Sequence, residues 1–274
     1  MLYQIEDHTI IMTDKKIAII GGGNLGGSIA HGLLKSRQYK PENITVTRRK
    51  IELIAELSKK GLNVHSDNEL AMREADIIIV AVKPKVVDKI LNQAKTVLTN
   101  NKILISVATG VKLAHMQAVI GKDFPLFRAM PNTAIAIRES MTCIATSNGS
   151  KEHINEVIDI FNHLGQTIKI NEELMDASTV LAACGIAYAL RFIRAASQGG
   201  IEIGFDASTA QTIASQTVRG AAGLLIKGGQ HPEWEIDKVT TPAGITIAGL
   251  NEMEHQGFSS SLIKGILTSF DKIA

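Results

Sequence analysis

Lys16-Ile-Ala-Ile-Ile-Gly21-Gly-Gly23-Asn-Leu-Gly26-Gly-Ser-Ile-Ala30 is the stretch that decides the fold. A β-branched run enters Gly-x-Gly-x-x-Gly directly, and helix-compatible residues follow. Gly21 permits the tight turn, Gly23 lets backbone come close to a pyrophosphate, and Gly26 allows close helix–strand packing. The first N–H groups of a helix have no intrahelical acceptor and carry partial positive charge, so phosphates find donors already in place. The strand before and the helix after make a dinucleotide loop the preferred reading over an ordinary turn. Its contact residues are Gly21, Gly23, Asn24, Leu25 and Gly26.

Outward from this loop, strand candidates recur at 44–47, 77–82 and 103–107, with weaker ones near 141–145 and 167–170. Segments of helical period, such as 51–60 and 86–98, lie between them. Apolar strands alternating with helices predict an α/β fold: a Rossmann-type, doubly wound parallel sheet covered on both faces. After about Asn171 the β-rich runs vanish. Residues 176–198 and 207–226 are rich in Ala with little polar surface, 241–254 turns helical after a Pro and a Gly, and an amphipathic helix is expected from Ser259. Two domains are expected, a dinucleotide-binding domain at 1–170 and an all-helical dimerisation domain at 171–274. The apolar excess of the second is covered by another subunit or by its own helices packing together.

The strand at 44–47 ends in Thr47-Arg48-Arg49-Lys50, where an NAD-binding fold would place an acid for the ribose. A carboxylate would repel a 2′-phosphate, whereas a guanidinium binds one bidentately. Thr47, Arg48 and Arg49 therefore favour NADP(H), with NAD(H) as the alternative donor; a merely solvated basic turn is the plainer reading. Open α/β sheets bind ligands beyond the carboxyl ends of their strands. Ala81, Val82, Lys83 and Pro84 end one strand there, and Ala108 ends another, as neighbours for a nicotinamide ribose. Arg128-Ala-Met-Pro-Asn-Thr133 is a polar knot inside an apolar stretch, readable also as a turn in which Asn132 and Thr133 bond their own backbone.

Composition bounds the rest. The chain has 274 residues, 45% hydrophobic and 4% aromatic, with net charge +2, so nothing global points to nucleic acid or an anionic membrane. Cys143 and Cys184 form no CxxC pair, which suits a reducing compartment rather than a disulfide scaffold or zinc site. The eight histidines show no HxxxH spacing, and no metal is expected. No uninterrupted apolar run approaches the roughly 20 residues that span a bilayer. Residues 1–16 mix Glu6, Asp7, His8 and Asp14 with apolar residues, unlike a signal peptide. A cytoplasmic protein with a small-molecule substrate, and neither nucleic acid nor membrane as partner, is expected.

Taken together and in order, these segments resemble the pyrroline-5-carboxylate reductase family. The matching stretches are Gly21–Gly26, Asn68-Glu-Leu-Ala71, Ala81–Pro84, Arg128–Thr133, Met175-Asp-Ala177, Thr241-Pro-Ala-Gly-Ile-Thr-Ile247 and Gly257-Phe258. The resemblance implies a helical domain that interlocks with a partner as a homodimer or higher homo-oligomer. It also implies hydride transfer from NAD(P)H to the C=N carbon of 1-pyrroline-5-carboxylate, a cyclic imine, giving L-proline. It assigns Thr241, Pro242, Ala243, Gly244 and Thr246 to the substrate, Thr246 as the hydroxyl nearest the ring nitrogen, and Asn68 to the adenosine side of the cofactor. The chain departs from the family at Ala183-Cys-Gly-Ile-Ala-Tyr188, where only Gly185, Ala187 and Tyr188 match, and at Ala134 and Ala243, where the family has Pro and Gly.

Imine reduction needs a hydride donor and a proton source but no strong base, unlike alcohol oxidation. Residues 171–200 contain no lysine, which fits the former. The departures keep two alternatives open: an NADP-dependent reductase of another cyclic imine or a hydroxyacid, and a non-catalytic NADP(H)-sensing paralogue. His231 and His255 read as surface or capping residues, Asp176 as an N-cap or first-turn acid, and Cys184 as a small packing residue.

Overall fold

The computed structural model describes residues 13–121 and 124–273; the expectation about a leader in residues 1–16 falls mostly outside them. Eight strands form one sheet: β1 (Ile17–Ile20), β2 (Ile44–Thr47), β3 (Asn63–His65), β4 (Ile77–Val80), β5 (Ile103–Ser106), β6 (Leu126–Met130), β7 (Ser140–Thr146) and β8 (Gly165–Lys169). Their order is β3-β2-β1-β4-β5-β6-β7-β8. Pairing is parallel from β3 to β6, and β7 runs antiparallel to β6 and parallel to β8. Order reverses between β1 and β4, the switch point at which such sheets bind ligands.

The apolar strands alternate their side chains across the sheet. Ile17, Ile19, Ile77 and Ile79 enter one core; Ala18, Ile20, Ile78 and Val80 enter the other. Helices α1 (Asn24–Ser36), with Ile29 and Leu33, and α6 (Lys151–Asn162), with Ile160 and Phe161, cover the first face. The second is covered by α3 (Asn68–Glu74), α4 (Pro84–Ala94) and α5 (Leu113–Ile120), through Met72, Val87, Leu91 and Met116. Each fully buried aliphatic side chain contributes roughly 1.5–3 kcal/mol, so both layers are needed. Strands β3 and β6 and the reversed direction of β7 depart from the expected pattern. The 51–60 segment is a 3₁₀ turn, Ile51–Ile54, followed by the short helix α2 (Ala55–Lys59).

The chain divides into two compact units after Ala183, beyond the 170/171 boundary read from the strands. Residues 172–183 stay with the first because Met175 and Ala183 pack with Met130, Cys143 and Ala145. They include helix α7 (Met175–Ser178) and a π-helical segment, Thr179–Cys184.

The second unit holds α8 (Gly185–Glu202), α9 (Ala207–Gly228), α10 (Pro232–Val239), α11 (Ile245–His255) and α12 (Phe258–Asp271). Its buried residues among those described are Ser197, Ala210 and Ala214, while Leu190, Ile203, Ile226, Trp234 and Leu267 are exposed. A groove of about 630 Å³ runs along α8, α11 and α12, lined by Tyr188, Phe192, Met253, Phe258 and Leu262. So small an internal core leaves much of the apolar surface of the five helices uncovered. The helical stretch Glu172–Glu202 is long and apolar enough, by length and composition alone, to cross a bilayer.

Candidate functional site

Gly21 leaves β1 with φ +109, and a side chain there would meet the Ala81 carbonyl oxygen at 2.7 Å. The turn thus sits against the loop after β4, and only glycine fits both the angle and the space. A Cβ on Gly26 would overlap the Gly21 carbonyl oxygen, so α1 folds back onto its own loop at this point. At Gly23 a Cβ would meet nothing within 4 Å. Gly23 is also the N-cap of α1, without a side-chain cap and with no acid in the first turn. The space beside Gly23, at the positive end of α1, is therefore open, a cradle that suits a pyrophosphate.

The loop is tied to β2. Gly21 and Gly22 donate to the Thr47 carbonyl at 3.1 and 2.7 Å. Arg48 Nη1 returns a bond to the Gly22 carbonyl at 2.8 Å, and Arg49 and Lys50 are exposed beside it. Thr47 acts here through its backbone: its side chain is buried, with its hydroxyl unpartnered. Arg48 holds its guanidinium at the mouth of the loop, and no carboxylate competes in the segment Thr47–Lys50.

Ala81 and Val82 lie against Gly21, and Lys83 caps α4, which has Pro84 in its first turn. Ala108 is buried beyond the end of β5, its N–H on Ser106 Oγ at 3.3 Å. Asn68 opens α3, which Asp67 caps, and its Nδ2 donates to Gln93 Oε1 at 3.2 Å; no bond links it to the glycine loop.

In the second unit, Thr241–Gly244 forms a turn closed by Gly244 N–H to the Thr241 carbonyl at 2.9 Å. Pro242 precedes Ala243, whose φ is +55, the pattern of a type II turn, which favours glycine at that position. The other positive-φ non-glycines among the described residues, Arg37 and Arg138, close helices. Helix α11 begins after Gly244, at Ile245 rather than within the turn, and Thr246 lies in its exposed first turn. That turn has no side-chain cap and no acid, so its N–H groups are available to an anion.

Sequence reading missed the partners of Arg128. On β6 its side chain is 4% exposed, with Nη1 3.0 Å from Glu172 Oε1 and Nη2 3.7 Å from Asp176 Oδ1. Leu113 N–H also donates to Glu172 Oε1, at 2.6 Å. Asp176 is a first-turn acid of α7, as its position suggested, and lies against this cation as well. A lone arginine inside an apolar run was the available signal. His231 caps α10, and His255 ends α11. Burial pushes the Cys143 thiol pKa up, with Ser178 pulling it partly back, so Cys143 is a poor nucleophile. Among the described residues no group of three or more His, Cys, Asp or Glu is arranged to hold a metal.

The switch point, the uncapped glycine loop and the basic turn after β2 define a dinucleotide-binding oxidoreductase fold. Residues 16–110 match the family profile described as NADP oxidoreductase, coenzyme F420-dependent, and residues 172–274 match pyrroline-5-carboxylate reductase dimerisation. Pyrroline-5-carboxylate reductase 2 of Dictyostelium discoideum is 45% identical across 96% of this chain and 94% of its own. Reductase 1 of that organism is 47% identical over 95% of this chain, which spans half of that relative's length. The crystal structure of Plasmodium falciparum pyrroline carboxylate reductase with NADP bound superposes with a TM-score of 0.86 at 28% identity, covering 96% of this chain and 98% of that one. The chain belongs to the pyrroline-5-carboxylate reductase family.

Proposed function

We propose that the protein reduces 1-pyrroline-5-carboxylate to L-proline with NADPH, as a cytoplasmic homodimer or higher homo-oligomer. The observation that carries this is 45% identity over nearly all of both chains with a relative named for that reaction. Residues 1–170 are the cofactor-binding part and 171–274 the substrate and dimerisation part, a division supported by the profile match that begins at 172.

Gly23, Asn24 and Leu25 border the open space at the start of α1 that takes the pyrophosphate, and Gly21 and Gly26 permit the turn that forms it. Arg48 and Arg49, after Thr47, receive the 2′-phosphate, and Asn68 lies to the adenosine side. Ala81, Val82, Lys83, Pro84 and Ala108 line the nicotinamide end. NADPH, when bound, supplies the hydride that adds to the imine carbon. Thr241, Pro242, Ala243 and Gly244 shape the turn that presents the first N–H groups of α11 to the substrate carboxylate. Thr246 holds a hydroxyl at the ring nitrogen, which gains the proton that balances the hydride. No strong general base is required, in keeping with the absence of lysine from 171–200.

The exposed apolar faces of α8 to α12 support assembly with a second copy. A second reading, reduction of a different cyclic imine, is favoured by Ala243, whose methyl occupies a left-handed turn position that glycine would leave bare. NADPH consumption with 1-pyrroline-5-carboxylate, and then with six-membered cyclic imines and 2-hydroxy acids, tests both. Turnover is expected with the first; turnover only with another compound, or tight NADPH binding without any turnover, would reject it.

A further inference from the structure

Strand β6 leads into Pro131 and Asn132, and Asn132 is buried. Its N–H donates to Ser140 Oγ at 3.1 Å, and its Oδ1 accepts from Ala134 N–H at 3.0 Å. The second caps the 3₁₀ turn Thr133–Ile137, and the first ties it to the start of β7. The third reaches far along the chain: Nδ2 donates to the Ala182 carbonyl at 3.3 Å.

Ala182 lies in the π-helical segment Thr179–Cys184 between α7 and α8, and the division between compact units follows Ala183. A π turn carries an extra residue relative to α spacing, is rare, and concentrates at functional sites. Its irregular bonding leaves carbonyls in need of outside donors. Asn132 supplies one such donor, while Arg128 on β6 engages Glu172 and Asp176 before the segment. Strand β6 and its loop therefore grip the chain on both sides of α7.

We propose that Asn132 is a positioning residue: through Ala182 it holds Thr179–Cys184 in π register. The proposal rests on the reading of residues 171–274 as the substrate-bearing part. Among the described residues the glycine loop is bonded to Thr47 and Arg48, not to Asn132, so cofactor affinity is a separate readout.

Asn132→Asp and Asn132→Ala test it together. Aspartate caps as well as asparagine and keeps the acceptor for Ala134 N–H, but an ionised carboxylate has no proton to give Ala182. In the full-length protein with NADPH, both variants should show roughly tenfold faster amide hydrogen exchange at residues 179–188, the scale expected for loss of a buried hydrogen bond. The KM for 1-pyrroline-5-carboxylate should rise, or kcat fall, by a similar factor, while the NADPH Kd stays within about twofold. Wild-type exchange in Asn132→Asp would overturn the proposal, leaving only the local cap. Equal loss of NADPH and imine affinity would also overturn it, placing Asn132 in the cofactor site. Should Asn132→Ala fail to fold, Asn132→Asp decides alone. If the wild-type protein does not turn over this imine, the functional reading fails, while the exchange data still decide the role of Asn132.

Discussion

Arg48 donates from Nη1 to the carbonyl oxygen of Gly22 at 2.8 Å, so the basic turn after β2 and the glycine loop after β1 are one structure. The neighbouring Arg49 is exposed and makes no such bond. Arg49→Ala should therefore weaken NADPH by about tenfold, the scale of one charge-assisted hydrogen bond, and leave NADH nearly unchanged. Arg48→Ala should weaken both cofactors, because it also releases Gly22, with the larger loss on NADPH. Fluorescence titration with each cofactor measures the two ratios. Equal losses of NADPH and NADH in both variants would show that this turn does not read the 2′-phosphate.

Gly26 faces the Gly21 carbonyl oxygen with no room for a methyl group. Gly26→Ala must push α1 away from its loop, and the obstruction is backbone rather than a yielding side chain. Overpacking of this kind costs roughly 1–3 kcal/mol, and cofactor binding should be lost along with it. Gly23→Ala is the control, because its Cβ enters open space. It should leave thermal stability nearly intact while weakening the cofactor, which uses that space. Equal stability losses in the two variants would contradict the distinction.

Much of this site was legible because local pattern and local function coincide. Residues 16–26 encode a strand, a turn and a helix start within one short window, and the turn after β2 follows once the apolar run 44–47 is read as a strand. Strand β3 was hidden by its shortness, and β6 by Arg128, whose buried charge interrupts the apolar run. The direction of β7 is a tertiary property: alternation reads the same up or down a sheet. The π segment is invisible for a related reason: residues 180–187 are all apolar or small, so one added residue leaves no periodicity to break. The bonds from Arg128 to Glu172 and from Asn132 to Ala182 join residues far apart in sequence, and only the folded chain brings them together.

Arg128 is the most committed buried charge of the first unit. Removing one partner of a buried pair leaves the other unsatisfied and typically costs about 3–5 kcal/mol. Arg128→Met should lower the unfolding midpoint strongly, with Glu172 and Asp176 left without their cation. Glu172→Gln keeps an acceptor for Arg128 Nη1 and leaves Asp176 as its counter-charge, so it should cost less. Thermal unfolding of both variants checks the order. A smaller loss for Arg128→Met than for Glu172→Gln would mean the cluster is not organised around the arginine.

Thr246 and Ala243 separate chemistry from shape in the substrate turn. Thr246 is exposed in the first turn of α11, so Thr246→Ala removes a hydroxyl without opening a core cavity. Stability and NADPH binding should hold while kcat falls by roughly tenfold or more, the size of a lost transition-state hydrogen bond. Thr246→Ser should restore most of it. Ala243→Gly acts on the backbone instead, since a left-handed conformation costs a non-glycine residue about 1 kcal/mol. Part of that gain is offset by the greater freedom of glycine in the unfolded chain, so a small rise in the unfolding midpoint is expected. The same change removes the methyl from the turn, and relative activity should shift toward bulkier cyclic imines. Unchanged kcat in Thr246→Ala would remove the hydroxyl from the reaction, and an unaltered imine preference in Ala243→Gly would leave its methyl without a part in substrate choice.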